Sequence, residues 1–167
     1  MTYSTFLILP QPSTVSIEGS SSLHPLHARA SGPIGSVEAQ VNASGIRLRN
    51  GSISLEVATL QSGNPLVDRE TRRRIDAGRY PQITGRLLSC SPTGPNDCEA
   101  AGEITFRGVT TAVTGLLTMA MQEDTLRING RAALDVREWG LSLPRLGPLK
   151  VHPQIVVTIE ISAQRQP

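Results

Sequence analysis

The sequence predicts an all-β protein interrupted by one short α-helix, and three features of the chain lead to that fold class. Apolar and polar residues alternate with a period of two through most of the chain, as in strands with one solvated face. Aromatic residues make up only 3% of the 167 residues, whereas 15 glycines and 12 prolines indicate many turns. A single stretch, 65–77, carries helix start and stop signals instead. A chain of this length is expected to form one domain.

The chain opens with MTYSTFLILPQP, a short apolar run without the basic segment and cleavage site of a complete signal peptide. We expect residues 1–12 to be a leader or N-terminal extension and residues 13–167 to form a single domain. Either a longer leader has been removed and Met1 is an expression start, or the protein is cytosolic. No stretch approaches the roughly 20 apolar residues that a spanning helix needs, so we expect no stable membrane insertion.

The first strand is predicted around Val15 and Ile17, which alternate with polar neighbours. The same alternation predicts strands in 53–57, 109–121, 126–136 and 155–161.

Two Asn-Gly pairs and one Pro/Gly-rich stretch set the predicted strand boundaries. Asn50-Gly51 lies between the alternating runs IRLR and SISLEV and predicts a hairpin turn, since both central residues of that turn need positive φ. Asn129-Gly130 is interpreted as part of a strand, because a turn there would isolate Leu126–Ile128 as a fragment. The stretch Leu141–Pro153 is predicted to be a long connection outside the sheet centre.

Residues 65–77 are predicted to form the one helix. Asn64 can accept hydrogen bonds from the free amides of the first turn, and Pro65 suits the first helical position. Gly78 followed by Pro81 makes a natural stop. The apolar stripe of the helix is thin, so we expect it to lie across a sheet that is already folded.

Arginines are concentrated on and just after this helix. They are Arg69, Arg72, Arg73, Arg74 and Arg79. The acid-first pairs Asp68–Arg72 and Glu70–Arg74 favour a solvated, self-paired face. The net charge of +2 and the scarcity of aromatic side chains argue against nucleic-acid binding. An alternative is that arginines at a cavity mouth bind the phosphate or carbonyl end of an amphiphile.

The two cysteines predict a disulfide. Cys90 and Cys98 flank the turn-rich segment SPTGPND, which brings their strands face to face. A two-cysteine metal site lacks nearby ligands, and two free thiols remain the other alternative. Because disulfides persist in oxidising compartments, we expect a periplasmic or secreted protein, with a cytoplasmic one as the alternative.

Catalytic signatures are scarce in the sequence. His24 and His27 form an H-x-x-H pair with His152 as a conceivable third zinc ligand, but residues three apart on a strand point to opposite faces. Polar surface histidines are therefore favoured, and we expect no metal. The serines of Gly19–Ser22 lack the G-x-S-x-G spacing of a nucleophile elbow. We predict no catalytic residue, no cofactor and no enzymatic activity.

Four segments match one family pattern in order along nearly the whole chain. They are STVSIEGSSSLH at Ser13–His24, IDAGRYPQIT at Ile75–Thr84, GEITFRGVT at Gly102–Thr110, and Trp139-Gly140-Leu141. Together they resemble the YceI-like family, whose members are lipocalin-like β-barrels that hold long apolar molecules. This chain departs from the pattern at Gly85, where a bulky aromatic residue is common, and in the loop between the cysteines.

The resemblance implies an extended antiparallel lipocalin-like β-barrel of about eight strands with the helix near one end. It also implies a non-enzymatic carrier whose interior binds a polyisoprenoid, an isoprenoid quinone or a lipid. The alternative is a structural or protein-interaction barrel with a filled core, because periodicity alone does not separate the two. The sequence leaves open the ligand, the loading partner, and whether the protein is a monomer or a homodimer.

The predicted ligand contacts are the inward-facing residues of the strands and the junction of the helix with the sheet. They are Ile83, Leu87, Ile104, Phe106, Val113, Leu117, Met119, Leu134 and Trp139, together with Ile75 and Tyr80 at the junction. Met119 and Met121 share one face of their strand, and the chain has few large aromatic residues. Both features suit a pliable apolar tunnel.

Overall fold

The computed structural model describes residues 2–23, 25–141, 145–146 and 149–167. His24 of the predicted histidine motif lies outside the described residues, as do 142–144 and 147–148 of the predicted long connection. The strands are β1 Ser4–Ile8, β2 Thr14–Ser20, β3 Pro25–Ser31, β4 Ile34–Asn42, β5 Gly45–Glu56, β6 Gln82–Gly94, β7 Asp97–Phe106, β8 Val109–Gln122, β9 Thr125–Asp135, β10 Arg145–Leu146, β11 Leu149–Lys150 and β12 Gln154–Arg165. The helix α1 spans Pro65–Ile75, and 3-10 turns span Val57–Thr59 and Val136–Trp139.

Eight antiparallel strands close into a ring in the order β1-β4-β5-β6-β7-β8-β9-β12, with β12 pairing back to β1. The predicted all-β barrel is therefore confirmed. The hairpin β2–β3 joins the same sheet through β12, and β10 and β11 form a separate two-stranded sheet. Closing the ring removes the free edges that an open sheet of this size would expose.

The outer edge of β12 is shared by two partners. Its first half, Val156–Glu160, pairs with β2, whereas Ala163–Arg165 pairs with β1. The β2–β3 hairpin therefore extends the barrel wall at the end where α1 lies, which we call the helix end. Arg29 of β3 and Gln61 exchange two backbone hydrogen bonds of 2.9 Å and tie this hairpin to the segment before α1.

Strand β1 differs from the expectation of an N-terminal extension over residues 1–12. Ser4–Leu7 pairs with β4, and Phe6–Ile8 pairs with β12, so this strand completes the ring. Phe6 is fully buried, whereas Leu7 is 45% exposed. The apolar run that suggests a leader is thus a barrel strand, and the expected extension does not hold for Ser4–Ile8.

The predicted hairpin turn at Asn50-Gly51 is wrong. Strand β5 runs through this pair, and the hairpin turn lies at Asn42–Gly45 instead. At the Asn-Gly pair itself the β4–β5 ladder has a β-bulge, in which Arg49 and Asn50 lie opposite the single residue Glu38. The side chains of Arg49 and Asn50 both donate to Oε2 of Glu38 at 2.9 Å. The extra residue of the bulge switches which residues face inward, and the same switch in the sequence resembles a turn. Strand β9 passes through its own Asn-Gly pair, as predicted.

Helix α1 begins as predicted and ends two residues early. The side chain of Asn64 accepts hydrogen bonds from the amides of Leu66 and Val67, and Pro65 opens the helix. The predicted stop at 77 is wrong because Asp76 adopts the left-handed conformation, with φ 58°. Its amide donates to two carbonyls of the last turn, so Gly78 has no part in the cap.

The predicted Cys90–Cys98 disulfide is confirmed, with 5.7 Å between the two Cα atoms. The cysteines are diagonal neighbours, since Cys90 faces Ala100 and Cys98 faces Pro92 across the β6–β7 ladder. Both strands extend through most of the segment expected to be a loop, and Cys98 is only 3% exposed. This bridge marks the disulfide end of the barrel, opposite the helix end.

Two apolar clusters occupy the two ends of the barrel. The disulfide-end cluster contains Phe6, Val37, Ala39, Ile46, Leu48, Cys98, Met119, Leu126, Ile128, Ile161 and Ala163. The helix-end cluster contains Val15, Ala30, Leu55, Val57, Leu60, Ile75, Phe106 and Trp139. Burying each large apolar side chain contributes about 1.5–3 kcal/mol. The indole of Trp139 donates to the carbonyl of Ile104 at 3.0 Å, so its polar atom is satisfied.

Candidate ligand-binding cavity

The barrel interior holds two adjoining cavities between these clusters. One of about 360 Å³, the wide chamber, lies beneath α1, and one of about 240 Å³, the inner chamber, lies towards the disulfide end. The residues that line both are Ile53, Gly85, Ile104, Leu134, Val157 and Ile159, which we call the junction. Pockets for small molecules usually measure about 300–1,000 Å³. The two chambers in sequence therefore offer space for one elongated ligand.

The wide chamber is bounded by the β2–β3 hairpin, the barrel strands and α1. Val15 and Ile17 point inward from β2 because alternate residues of a strand share a face. Ile75 reaches the chamber from the last turn of α1, and Trp139 reaches it from the 3-10 turn after β9. The hairpin and the helix therefore supply parts of the chamber wall that the eight-stranded ring does not.

The inner chamber is lined by unusually small residues. These are Gly51, Gly85, Ala100, Ala101, Gly102, Gly115, Gly130 and Ala132. At Gly130 a Cβ atom would lie 2.6 Å from Leu117 Cδ2 and 2.8 Å from Ile159 Cγ1. At Gly85 it would lie 3.1 Å from Ile53 Cγ2. Gly130 thus leaves room for its large apolar neighbours, and Gly85 keeps the junction open.

The outward face of α1 carries charges that pair with one another. Glu70 accepts from Arg73 Nη2 at 2.9 Å and from Arg74 Nε at 3.1 Å, which confirms the predicted Glu70–Arg74 pair. Hydrogen bonds from Arg73 and then Arg74 lower the pKa of Glu70. The Arg137 side chain likewise lowers the pKa of Asp135. Glu70, Arg73, Arg74, Asp135 and Arg137 line neither chamber, so these ion pairs lie outside the cavity.

Arg72 differs from its neighbours on α1. The predicted Asp68–Arg72 pair is wrong, because Asp68 Oδ1 accepts instead from the amide of Ser62 at 2.9 Å. Arg72 lines the wide chamber, and its Nε is buried without a hydrogen-bond partner. Within the described residues its side chain makes no ion pair. Arg72 therefore contributes one buried, unpartnered N–H donor to the wall of an otherwise apolar chamber.

Nine of the eleven predicted contact residues line the chambers. Ile75, Ile83, Phe106 and Trp139 line the wide one, Leu87, Val113 and Leu117 line the inner one, and Ile104 and Leu134 line both. Met119 lines neither, because it is 2% exposed inside the disulfide-end cluster. Tyr80 also lines neither, since the chain turns away after α1 and its ring lies beside Arg79 and Arg107.

Sequence analysis missed several cavity residues. The apolar residues of the β2–β3 hairpin were detectable as an alternating strand, but their position over the cavity depends on pairing with β12. On β12 itself, Ile155, Val157 and Ile159 share one parity and line the wide chamber. Arg72 was missed because helix spacing predicts its pairing with Asp68, and a competing backbone amide takes that carboxylate.

His27 and His152 are the described members of the histidine set that the sequence raised as conceivable zinc ligands. Among the described residues, no cluster of three or more His, Cys, Asp or Glu side chains could hold a metal ion. His152 Nδ1 lies 2.9 Å from Ser20 Oγ, which gives this ring nitrogen a polar partner. Across the same part of the chain, no helix has the length and apolar character needed to cross a membrane.

Comparison with known proteins assigns the family. The model of the YceI-like domain matches residues 6–163, nearly the whole of the barrel. The chain belongs to the YceI-like domain family. No significant match is found among curated protein sequences.

Solved structures of three other proteins share this YceI-like fold at low sequence identity. BcnA of Burkholderia cenocepacia superposes with a TM-score of 0.76 at 18% identity, covering 91% of this chain and 96% of that one. A polyisoprenoid binding domain from Saccharophagus degradans gives 0.73 at 11% identity, covering 99% and 100%. The YCEI protein of Campylobacter jejuni gives 0.71 at 12% identity, covering 84% and 85%. These similarities establish the fold of the YceI-like barrel.

Proposed function

We propose that this YceI-like protein is a non-enzymatic carrier that binds one long-chain amphiphile, a polyisoprenoid, an isoprenoid quinone or a lipid. The observation that carries the proposal is the pair of adjoining apolar chambers along the barrel. A structural relative is described as a polyisoprenoid binding domain, which supports an apolar ligand. The apolar chain would extend from the wide chamber through the junction into the inner chamber.

Burial of the chain is sufficient to supply the affinity. Each methylene group transferred from water to an apolar interior contributes about 0.8 kcal/mol. A chain of a few isoprene units therefore gains many kcal/mol before the cost of immobilisation is subtracted. No catalytic group is required for such binding.

We propose that the inward residues of the junction and the inner chamber contact the ligand chain. Val113 lines the inner chamber, and Leu116 on the same strand faces solvent with 64% exposure. Val113→Trp would fill the inner chamber, whereas Leu116→Trp places an equally large side chain outside and serves as the matched control.

The test is binding of farnesol and a longer polyprenol to the wild type and both variants, with thermal melts of each. We expect Val113→Trp to lose most of its affinity for the polyprenol while its melting temperature stays close to that of the wild type. Leu116→Trp should bind both as the wild type does. If the barrel were a filled structural module, Val113→Trp would overpack it and cost about 1–3 kcal/mol. That loss of stability, with no binding by the wild type, would defeat the carrier proposal.

We further propose that the protein works outside the cytoplasm, in the periplasm or as a secreted protein. The Cys90–Cys98 disulfide supports this location because such bridges persist in oxidising compartments. Host cells lysed directly into a denaturing, non-reducing buffer that contains an alkylating agent provide the test. Recovery of the protein with both thiols alkylated would place it in a reducing compartment.

A further inference from the structure

The geometry points to Arg72 as the head-group site of this cavity, selecting amphiphiles that end in an oxyanion, a carboxylate or a phosphate monoester. This inference rests on the proposed carrier function and adds the chemical class of the ligand's polar end. It is carried by the position of Arg72 on the cavity face of α1 and by its buried Nε, which has no hydrogen-bond partner.

One face of α1 borders the wide chamber. The residues on that face are Val67, Asp68, Thr71, Arg72 and Ile75, spaced three and four apart as one helix surface requires. Arg72 is the only arginine or lysine among the described residues that line the chamber. The other arginines of the helix belong to its outward face, where Arg73 and Arg74 are paired with Glu70.

One donor of Arg72, its Nε, has no hydrogen-bond partner within the described residues. Its Nε is buried with no partner, and a buried polar group left unsatisfied is costly. A guanidinium presents several N–H groups in a planar fork that matches a carboxylate or phosphate. Because the cavity wall is apolar, a hydrogen bond to a charged oxygen is stronger there than in water. An acidic head group would accept from Nε and from the terminal nitrogens of this fork, and a hydrocarbon end would leave Nε unsatisfied.

The remaining polar groups of the wide chamber are already engaged or weaker candidates. Asp68 accepts from the amide of Ser62, and Thr71 Oγ1 donates to the carbonyl of Val67 at 2.8 Å. His152 Nδ1 contacts Ser20 Oγ. His27 lines the chamber as well, but it is an exposed residue of β3 and has no buried donor. Arg72 is thus the cation of the described chamber wall that an incoming anion meets.

Matched isoprenoid probes separate the head group from the chain. Farnesol, farnesoic acid and farnesyl monophosphate have the same apolar chain and end in a hydroxyl, a carboxylate and a phosphate. Their affinities are measured for the wild type, Arg72→Gln, Arg72→Lys and Arg73→Gln, with a thermal melt of each protein. Arg73→Gln removes a neighbouring charge from the outward face and serves as the control.

The wild type should bind at least one of the two acidic probes about tenfold or more tightly than farnesol. Arg72→Gln should bind all three with similar affinity, because its loss of affinity is largest for the acidic probes. Arg72→Lys should retain part of the preference through its charge, and Arg73→Gln should retain all of it. Which acidic probe is preferred distinguishes a carboxylate ligand from a phosphate ligand.

Two outcomes would overturn the inference in distinguishable ways. Equal binding of all three probes by the wild type, or a preference that survives in Arg72→Gln, removes the head-group site and leaves the carrier function intact. Failure of the wild type to bind any probe, farnesol and the longer polyprenol included, removes the proposed function and the inference with it. If Arg72→Gln fails to fold, Arg72→Met takes its place, since it keeps a long unbranched side chain and removes the charge and the donors.

Discussion

Single residues determine where the barrel is packed and where it stays open. Glycines on the inner face lie where large neighbours need the space, as at Gly130 between Leu117 and Ile159. At Gly85 the same absence of a side chain keeps the junction between the chambers clear. Both positions are within strands, where glycine is otherwise unfavourable. Their cost in strand stability is offset by the packing and the passage that they allow.

Gly130→Ala should destabilise the protein by about 1–3 kcal/mol, because the new methyl group would meet two packed side chains at 2.6 and 2.8 Å. Urea denaturation measures this change. Asn129→Ala, at an exposed position of the same strand, is the control and should change the free energy of unfolding by less than about 0.5 kcal/mol. Equal stability of Gly130→Ala and the wild type would contradict this prediction, because it would show that the side chains of Leu117 and Ile159 move aside without cost.

Gly85→Val should restrict passage between the chambers, because its Cβ would lie 3.1 Å from Ile53 Cγ2 at the junction. We expect farnesol, which fits the wide chamber, to bind normally and a longer polyprenol to bind about tenfold or more weakly, since its buried methylenes are lost. Ser89→Val, on the exposed face of the same strand, should bind both normally. Equal loss of both ligands would contradict a two-chamber path.

At the scale of elements, local signals predicted how segments begin better than how they end. The start of α1 was predictable because Asn64 and Pro65 act within one turn. Its end was not, since Asp76 adopts the left-handed conformation that glycine usually takes. The bulge in β5 was mistaken for a turn because both change the inward-facing parity. Arg72 was predicted to pair with Asp68, whose carboxylate instead accepts a hydrogen bond from the backbone amide of Ser62.

The β6–β7 hairpin should depend on its disulfide. On the chain-entropy estimate, a bridge between residues eight apart stabilises the folded state by about 2–3 kcal/mol. Cys90→Ala with Cys98→Ala should therefore lower the free energy of unfolding by that amount in denaturant melts. Reduction of the wild type should produce a similar fall, and the double variant should not respond to reductant. Loss of stability on adding reductant to the double variant would contradict this assignment.

At the scale of the whole molecule, the cavity arises from pairings that the sequence pattern does not specify. Alternation predicts which face of a strand is buried, and it says little about the partner across the ladder. The all-β class, the helix, the disulfide and nine cavity residues were therefore predictable. The sharing of the β12 edge between β1 and β2 was not, although it closes the ring and places the β2–β3 hairpin over the wide chamber.

The central claim is that the barrel carries one long apolar molecule. Native mass spectrometry of the protein purified from its own host, followed by mass spectrometry of the organic extract, tests it most directly. We expect a single adduct that is released on denaturation and recovered in the extract as an isoprenoid or lipid. A bare protein mass in host-purified material, together with no uptake of added farnesol or longer polyprenol, would contradict the account.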